Sequence, residues 1–175
     1  LRSLGIEVAQ IDVANSLADV PSRVREVGTL LGQEDQAEAL IGAFETNLAR
    51  LAGPDHGPRA AFYYPNGYTL GTGTLSHDII THAGFTHIAE ELGRSTSGRV
   101  ALELMVMATP DLVIGTQPYP GASRSEEILR HPALRSLQEQ ARGTASGPDW
   151  ICGTPHVVQA LAELAALRDQ IENGE

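Results

Sequence analysis

The sequence predicts an α/β fold: a three-layer α/β/α sandwich with a parallel central sheet, preceded by a long helix. Short apolar segments alternate with helical segments after residue 60, and strands joined through helices pair in parallel by right-handed crossovers. One continuous helical stripe precedes them, over residues 34–52. The 175 residues are one ordinary domain in length, and 42% hydrophobic with 19% charged residues is typical of a globular protein.

The first third of the sequence contains one strand pattern and two helical patterns. Residues 6–12, "IEVAQID", predict a short strand. The first helical stripe, which Gly32 is predicted to end, consists of Leu17, Val20, Val24, Val27 and Leu31. The second stripe consists of Ala37, Leu40, Ile41, Phe44, Leu48 and Leu51. Residues 34–52 as one helix would span about 28 Å, enough to brace a small domain.

The remaining sequence alternates between strands and helices. The predicted strands are residues 60–64, 85–89, 111–115 and 149–153. The predicted helices are residues 75–83, 101–108, 123–137 with a break at His131–Pro132, and 154–173. Gly84 follows the first of these helices, Thr109–Pro110 closes the second, and Thr154–Pro155 is a strong start for the last.

Aromatic residues cluster at the predicted carboxyl ends of the strands, where ligands bind in open α/β sheets. The loops at that edge are residues 64–74, 115–122 and 152–154. The chain has eight Phe, Tyr and Trp residues, and five of them lie near these loops: Tyr63, Tyr64, Tyr68, Tyr119 and Trp150. Such rings suit a bulky, partly planar ligand. We expect the last three tyrosines to line a pocket, whereas Tyr63 and Trp150 could equally cap the core.

Composition and motif spacing exclude several classes of function. The formal net charge of −10 argues against a nucleic-acid partner, and no apolar run approaches the roughly 18 residues of a membrane helix. The single cysteine, Cys152, excludes an intrachain disulfide. Residues 71–73 complete neither a Walker loop nor a dinucleotide motif. No nucleophile motif is present, so we expect no catalytic site and no cofactor.

The histidines are not expected to hold a metal. His77, His82 and His87 recur every five residues, so on one helix they would point in different directions. His131 and His156 lie beside prolines at helix starts, where structural or solvated roles are expected.

Glu103 is the one carboxylate in the first half of an apolar segment, "VALELMVMATPDLVIG" at residues 100–115. In the first turn of a helix a carboxylate is favoured by the helix dipole, and both its oxygens can accept hydrogen bonds from an arginine. Glu103 therefore either stabilises the helix end alone or points outward to a partner.

Four segments together resemble the helical-backbone (class III) periplasmic substrate-binding proteins of ABC importers for iron-siderophores, haem and cobalamin. They are "SLADVPSRVREVGTLLGQEDQAEALIGAFETNLARL", "ALELMVMATPDLVIG", "ILRHPALRSL" and "DWICGTPHVVQALAEL". The resemblance implies two α/β lobes joined by a long helix, with the ligand in the cleft between them. It assigns residues 1–16 to the end of a mostly absent amino-terminal lobe, 17–53 to the connecting helical segment, and 54–175 to the carboxyl-terminal lobe.

The resemblance also implies an exported, periplasmic or cell-envelope protein and a set of site residues. Tyr64, Asn66 and Tyr68 match the first ligand loop of the family, and Trp150 matches a corner where an aromatic often lines the cleft. Glu103 matches a surface glutamate that docks onto arginines of the permease, although Ala101 stands where a capping Ser is usual. The implied function is capture of an iron complex or cobalamin and its delivery to the permease, without covalent chemistry.

Two further expectations accompany this one. The alternative is a small α/β enzyme or metal-chelatase-like domain, with His77, Asp78 and His156 as the available acid–base groups. An apolar face that the absent lobe would cover is expected to favour pairing of two copies of the chain.

Overall fold

The computed structural model describes residue 5 and residues 8–116, 124–140, 148–150 and 152–174. The helices are α1 (Val20–Leu31), α2 (Glu34–Leu51), α3 (Leu75–His82), α4 (Leu102–Ala108), α5 (Pro132–Gln140) and α6 (Val157–Asn173). The strands are β1 (Arg59–Phe62), β2 (Tyr68–Thr69), β3 (Thr86–His87), β4 (Gly98–Arg99) and β5 (Leu112–Ile114). Short 3-10 helices cover Leu17–Asp19, Pro65–Gly67, Arg124–Arg130 and Pro148–Trp150.

The central sheet has three parallel strands in the order β3-β1-β5. Ala60 of β1 lies opposite His87 of β3 and Leu112 of β5, and Phe62 lies opposite Ile114. β2 and β4 form a separate antiparallel pair. Among the described residues, β1 lies between the two outer strands, β3 and β5, which are two and three residues long.

Both faces of this sheet are buried, which explains why β5 and all of β1 except its first residue, Arg59, are apolar. Side chains alternate between the faces. One core contains Phe62 and Ile114 from the strands, packed with side chains from α3 and α6. The other contains Tyr63 and Val113, packed with Met105 of α4 and with α5. The predicted three-layer α/β/α sandwich with a parallel sheet is confirmed.

Helices α1 and α2 form a hairpin, in which α2 contacts α6 of the sandwich. Gly32, at φ 63°, supplies the left-handed residue that ends α1. The helices then approach closely: a Cβ on Gly28 would lie 2.5 Å from the Cβ of Ala37. Arg25 donates two hydrogen bonds to Glu38, at 2.6 and 3.0 Å, across the hairpin. The predicted long helix is confirmed, since α2 runs without interruption from Glu34 to Leu51.

Two predicted strands are wrong in the described residues. Residues 8–12 have no regular secondary structure, because no strand in the described part of the chain lies alongside to complete a hydrogen-bonded ladder. Pro148–Trp150 is a 3-10 helix, because Pro148 presets a helical φ. The last helix begins at Val157, since residues 154–156 first form a turn in which Val157 N donates to Thr154 O at 3.1 Å.

In the parts of the chain that the structure describes, every helix is too short or too polar to span a lipid bilayer.

Candidate functional site at the carboxyl edge of the sheet

The carboxyl ends of β1, β3 and β5 meet at one edge, and the polypeptide after β1 builds a compact loop there. Tyr64 N donates to Tyr68 O at 2.8 Å, and Gly67 N donates to Tyr64 O at 3.0 Å. Val100 N donates to Gly67 O at 2.8 Å and ties the loop to the segment before α4. We call residues 64–68 the tyrosine loop. Its backbone hydrogen bonds restrict the conformations open to it.

Two residues of the tyrosine loop adopt left-handed backbone conformations. Asn66 has φ 59° and Gly67 has φ 70°. Asn tolerates this region better than most residues, and Gly adopts it at no steric cost. A Cβ on Gly67 would also lie 2.7 Å from the Val100 carbonyl oxygen, so the loop can close against this carbonyl only with glycine there.

The loop presents two of the predicted ligand residues outward and holds a third against the core. Asn66 is exposed, and Tyr68 is 42% exposed. Tyr64 is half-buried and stacks on Phe62 with ring centroids 5.9 Å apart. Burial raises the pKa of Tyr64 to about 12, so its phenol is neutral at physiological pH and donates a proton in hydrogen bonds. The structure thus brings these three predicted residues together at one edge.

The other two predicted ligand residues stand differently. Trp150 is only 4% exposed and packs edge-on against Phe62 at 6.0 Å, so little of its ring is available to a ligand. Its main-chain oxygen accepts a hydrogen bond from Ser76 Oγ at 3.3 Å, while its indole Nε1 has no partner among the described residues. Tyr119 lies outside the described residues.

A histidine pair, which the five-residue spacing did not predict, lies at the same edge. The Nδ1 atoms of His77 and His87 are 2.9 Å apart. His87 can reach His77 because His82 ends α3 and Gly84 turns the chain into β3, so His87 leaves the helix. The sequence contains a signal for this pair, because the first turn of the helix that follows β1 and the carboxyl end of the next parallel strand lie at the same edge of the sheet.

The three acid–base candidates of the enzyme alternative are not brought together. Asp78 Oδ2 accepts a hydrogen bond from Leu17 N at 3.2 Å, and His77 pairs with His87. His156 is exposed beside the first residue of α6. The described residues include no group of three or more His, Cys, Asp or Glu side chains that could hold a metal ion.

Glu103 is exposed in the first turn of α4, as predicted from sequence. Ala101 precedes this helix and provides no side-chain cap. Arg59 Nη1 donates to Ala108 O at 2.6 Å, which places the end of α4 near the beginning of β1. The first turn of α4 therefore lies towards the carboxyl edge. Burial, and secondarily the Glu103 carboxylate, raise the pKa of Tyr63.

A second open surface lies beside the helical hairpin. The hairpin groove, about 660 Å³ in volume, is bounded by residues 11–14, α1, α2 and residues 152–155. The large apolar side chains that line it and are exposed are Ile11, Val13, Val27, Leu31 and Leu40. Cys152 also lines the groove and is exposed.

Solved structures share this architecture. The chain resembles the periplasmic heme-binding protein RhuT from Roseiflexus sp. RS-1 (TM-score 0.77, 21% identity), covering 97% of itself and 69% of that chain. It resembles the vitamin B12 binding protein BtuF of Vibrio cholerae (0.65, 14%), covering 98% of itself and 68% of BtuF. It also resembles an ABC-type Fe3+-hydroxamate transport system from Saccharomonospora viridis DSM 43017 (0.71, 21%), covering 95% of itself and 63% of that chain.

Sequence comparison identifies the family. No curated protein sequence matches the chain. The family model described as "Periplasmic binding protein" matches residues 1–139, which is most of the chain. TM-scores of 0.65 to 0.77 show that the solved structures named above share the fold of this chain. The chain therefore belongs to the periplasmic binding protein family.

Proposed function

We propose that this protein is the substrate-binding component of an ABC importer, exported to the periplasm or cell envelope, which captures an iron-siderophore, haem or cobalamin. The observation that carries the proposal is the tyrosine loop, closed by backbone hydrogen bonds at the carboxyl edge of the sheet, in a chain of the periplasmic binding protein family. The names of the similar structures cite haem, vitamin B12 and an Fe3+-hydroxamate, which are all bulky ligands.

The ligand contacts are proposed to come from Tyr64, Asn66, Tyr68, Tyr119 and Trp150. Tyr68 and Asn66 support this because both are exposed on a loop that hydrogen bonds hold in place, so little order is lost on binding. Tyr64 adds a neutral phenol beside them. Trp150 would support the ligand contacts indirectly, by packing against Phe62, unless ligand binding exposes its ring.

Glu103 is proposed to dock onto arginines of the permease. The carboxylate is exposed in a first helical turn and lies towards the same edge as the tyrosine loop. A protein that docks with its cleft facing the permease would present both features together. The arginine fork is the best partner for a carboxylate, since it donates two parallel hydrogen bonds.

The sequence-based division into lobes is also part of the proposal: 1–16 the end of an amino-terminal lobe, 17–53 the connecting segment, and 54–175 the carboxyl-terminal lobe. The hairpin groove supports it, because five exposed large apolar side chains that line one groove are normally covered by another folded part. A second copy of the chain could cover the same groove.

Ligand binding is tested by calorimetric titration of the chain with haem, a ferric hydroxamate siderophore and cobalamin. We expect one of the three classes to bind and Tyr68→Ala to weaken it about 5- to 30-fold, the usual range for an aromatic contact worth 1–2 kcal/mol. Leu104→Ala is the matched control, since Leu104 is similarly exposed on α4. Absence of binding with all three classes would contradict the proposal.

Docking is tested separately by ligand-stimulated ATP hydrolysis of the reconstituted importer. Glu103→Gln is expected to bind ligand with unchanged affinity and to lose most of the stimulation. Glu163→Gln, an exposed carboxylate on α6, is the control. Full stimulation by Glu103→Gln would remove the docking proposal and leave ligand capture intact.

A further inference from the structure

The pair of His77 and His87 has no part in the ligand contacts proposed above. Their ring centroids are 5.1 Å apart and their Nδ1 atoms 2.9 Å apart. His87 is 9% exposed, whereas His77 is half-buried. His77 belongs to the first turn of α3 and His87 to the end of β3, so the contact between the two rings joins helix to strand at the carboxyl edge.

The contact depends on how many protons the two rings carry. A direct Nδ1–Nδ1 hydrogen bond needs one donor and one acceptor. If the more exposed His77 takes up a proton on its other nitrogen, its Nδ1–H still donates to His87. When both rings are charged, both Nδ1 atoms carry hydrogen, neither accepts, and two like charges lie side by side. The second proton therefore breaks the contact.

The surroundings of His87 oppose that second proton. β1 contributes the apolar ring of Phe62, edge-on with centroids 5.5 Å apart, and α3 contributes His77. Burial, and then the neighbouring His77, lower the pKa of His87 to about 4. The His87 Nε2 is buried and has no partner among the described residues.

We propose that the His77–His87 contact is acid-sensitive. It holds the first turn of α3 against β3 until both rings are charged, and it then breaks and releases this turn. The inference goes beyond the proposed function, because it concerns the protein without ligand. Its consequence reaches the edge where the tyrosine loop lies, since Tyr64 stacks on the same Phe62 ring that His87 contacts.

Trp150 is a reporter of this release that the protein already contains. It is the only tryptophan in the sequence, and its ring packs edge-on against Phe62. Its main-chain oxygen also accepts a hydrogen bond from Ser76, the neighbour of His77 in the first turn of α3. Release of this turn therefore changes the packing around the indole.

The first test follows the imidazole resonances of each histidine by NMR between pH 8 and pH 4.5. We expect His87 to remain mostly neutral at pH 5, because its pKa is lowered to about 4. We also expect the shared Nδ1 proton to be visible between the two rings. The proposal is overturned if His87 is already charged at pH 5, or if no proton is shared between the two Nδ1 atoms.

The second test records Trp150 emission as pH falls to 3.5, with far-UV circular dichroism to follow helix content. We expect a shift in emission that precedes the loss of helix in the wild type and is absent in His77→Gln and His87→Gln. His56→Gln, in an exposed loop, should keep it. The same emission profile in all four proteins would overturn the proposal, whatever ligand the protein binds.

Discussion

The carboxyl edge of the sheet and the hairpin groove are both open surfaces, but their side chains are held differently. At the edge, the tyrosine loop is closed by backbone hydrogen bonds, and its Tyr64 ring rests on the buried Phe62. In the groove, Val13 is 73% exposed and Leu31 is 68% exposed. The edge is already organised as a surface that meets solvent, and it is the surface proposed to contact the ligand. The groove resembles half of a core and gains stability only when something covers it.

Truncation of an apolar side chain should lower the unfolding free energy much more at the edge than in the groove, and this is the largest difference that we expect. Phe62 is fully buried and contacts Tyr64, His87 and Trp150, so Phe62→Ala is expected to cost about 3–5 kcal/mol of unfolding free energy. Leu40→Ala in the groove, where the side chain is 47% exposed, should cost about 0.5 kcal/mol or less. Urea denaturation measures both, and equal losses would contradict the comparison.

Acid should destabilise the edge through His87. Its pKa in the folded protein, about 4, lies below the ordinary 6.5, so the unfolded chain binds this proton first. Stability is therefore full above pH 6.5 and falls as pH drops to about 4, by about 3 kcal/mol at most at 1.36 kcal/mol per pKa unit. Urea denaturation at pH 7 and pH 5 should show a smaller difference for His87→Gln than for the wild type. An unchanged difference would exclude His87 as the source.

A single methyl group added to the tyrosine loop should disrupt it. Gly67→Ala introduces a Cβ 2.7 Å from the Val100 carbonyl oxygen at a φ of 70°, and is expected to cost about 1–3 kcal/mol. Gly42→Ala in α2 is the control: nothing lies within 4 Å of its Cβ, so a helix former should stabilise by about 0.5–1 kcal/mol. Thermal unfolding distinguishes these opposite signs, and a neutral Gly67→Ala would show that the loop is not rigid.

A substitution in the groove should change the unfolding free energy least of all these variants, but it should clearly change the association of one chain with another. Leu31→Ser is expected to change the unfolding free energy by no more than about 0.5 kcal/mol. It should reduce concentration-dependent pairing of the chain in sedimentation experiments, because it removes exposed apolar area from the groove. Met107→Ser, on α4 and 78% exposed, is the control and should leave pairing unchanged. A wild type that remains monomeric at high concentration would contradict self-pairing.

Much of the fold could be predicted from the sequence because its signals are local. Helical stripes, Gly32 and Gly84 at helix ends, and the Thr109–Pro110 boundary all act within a few residues, and each corresponds to an element of the structure. The strand predicted at residues 6–12 is wrong over its described residues, 8–12, because a strand is stable only with a neighbour and the described part of the chain provides none there.

The candidate site could be predicted only in outline. The strand pattern placed the tyrosine loop at the carboxyl edge, because parallel strands end together. It could not show that Trp150 is buried, since a sequence does not show which face a ring contacts. The histidine pair was missed for a similar reason: His77 and His87 meet only after the chain reverses between α3 and β3.

The role of the carboxyl edge is tested most directly by amide hydrogen exchange, with saturating haem, ferric hydroxamate siderophore or cobalamin added in turn. We expect at least one of these ligands to slow exchange in residues 63–74 and to leave residues 27–40 of the hairpin unchanged. Protection confined to the hairpin, or no protection by any of the three, would contradict the assignment of the tyrosine loop as the ligand surface.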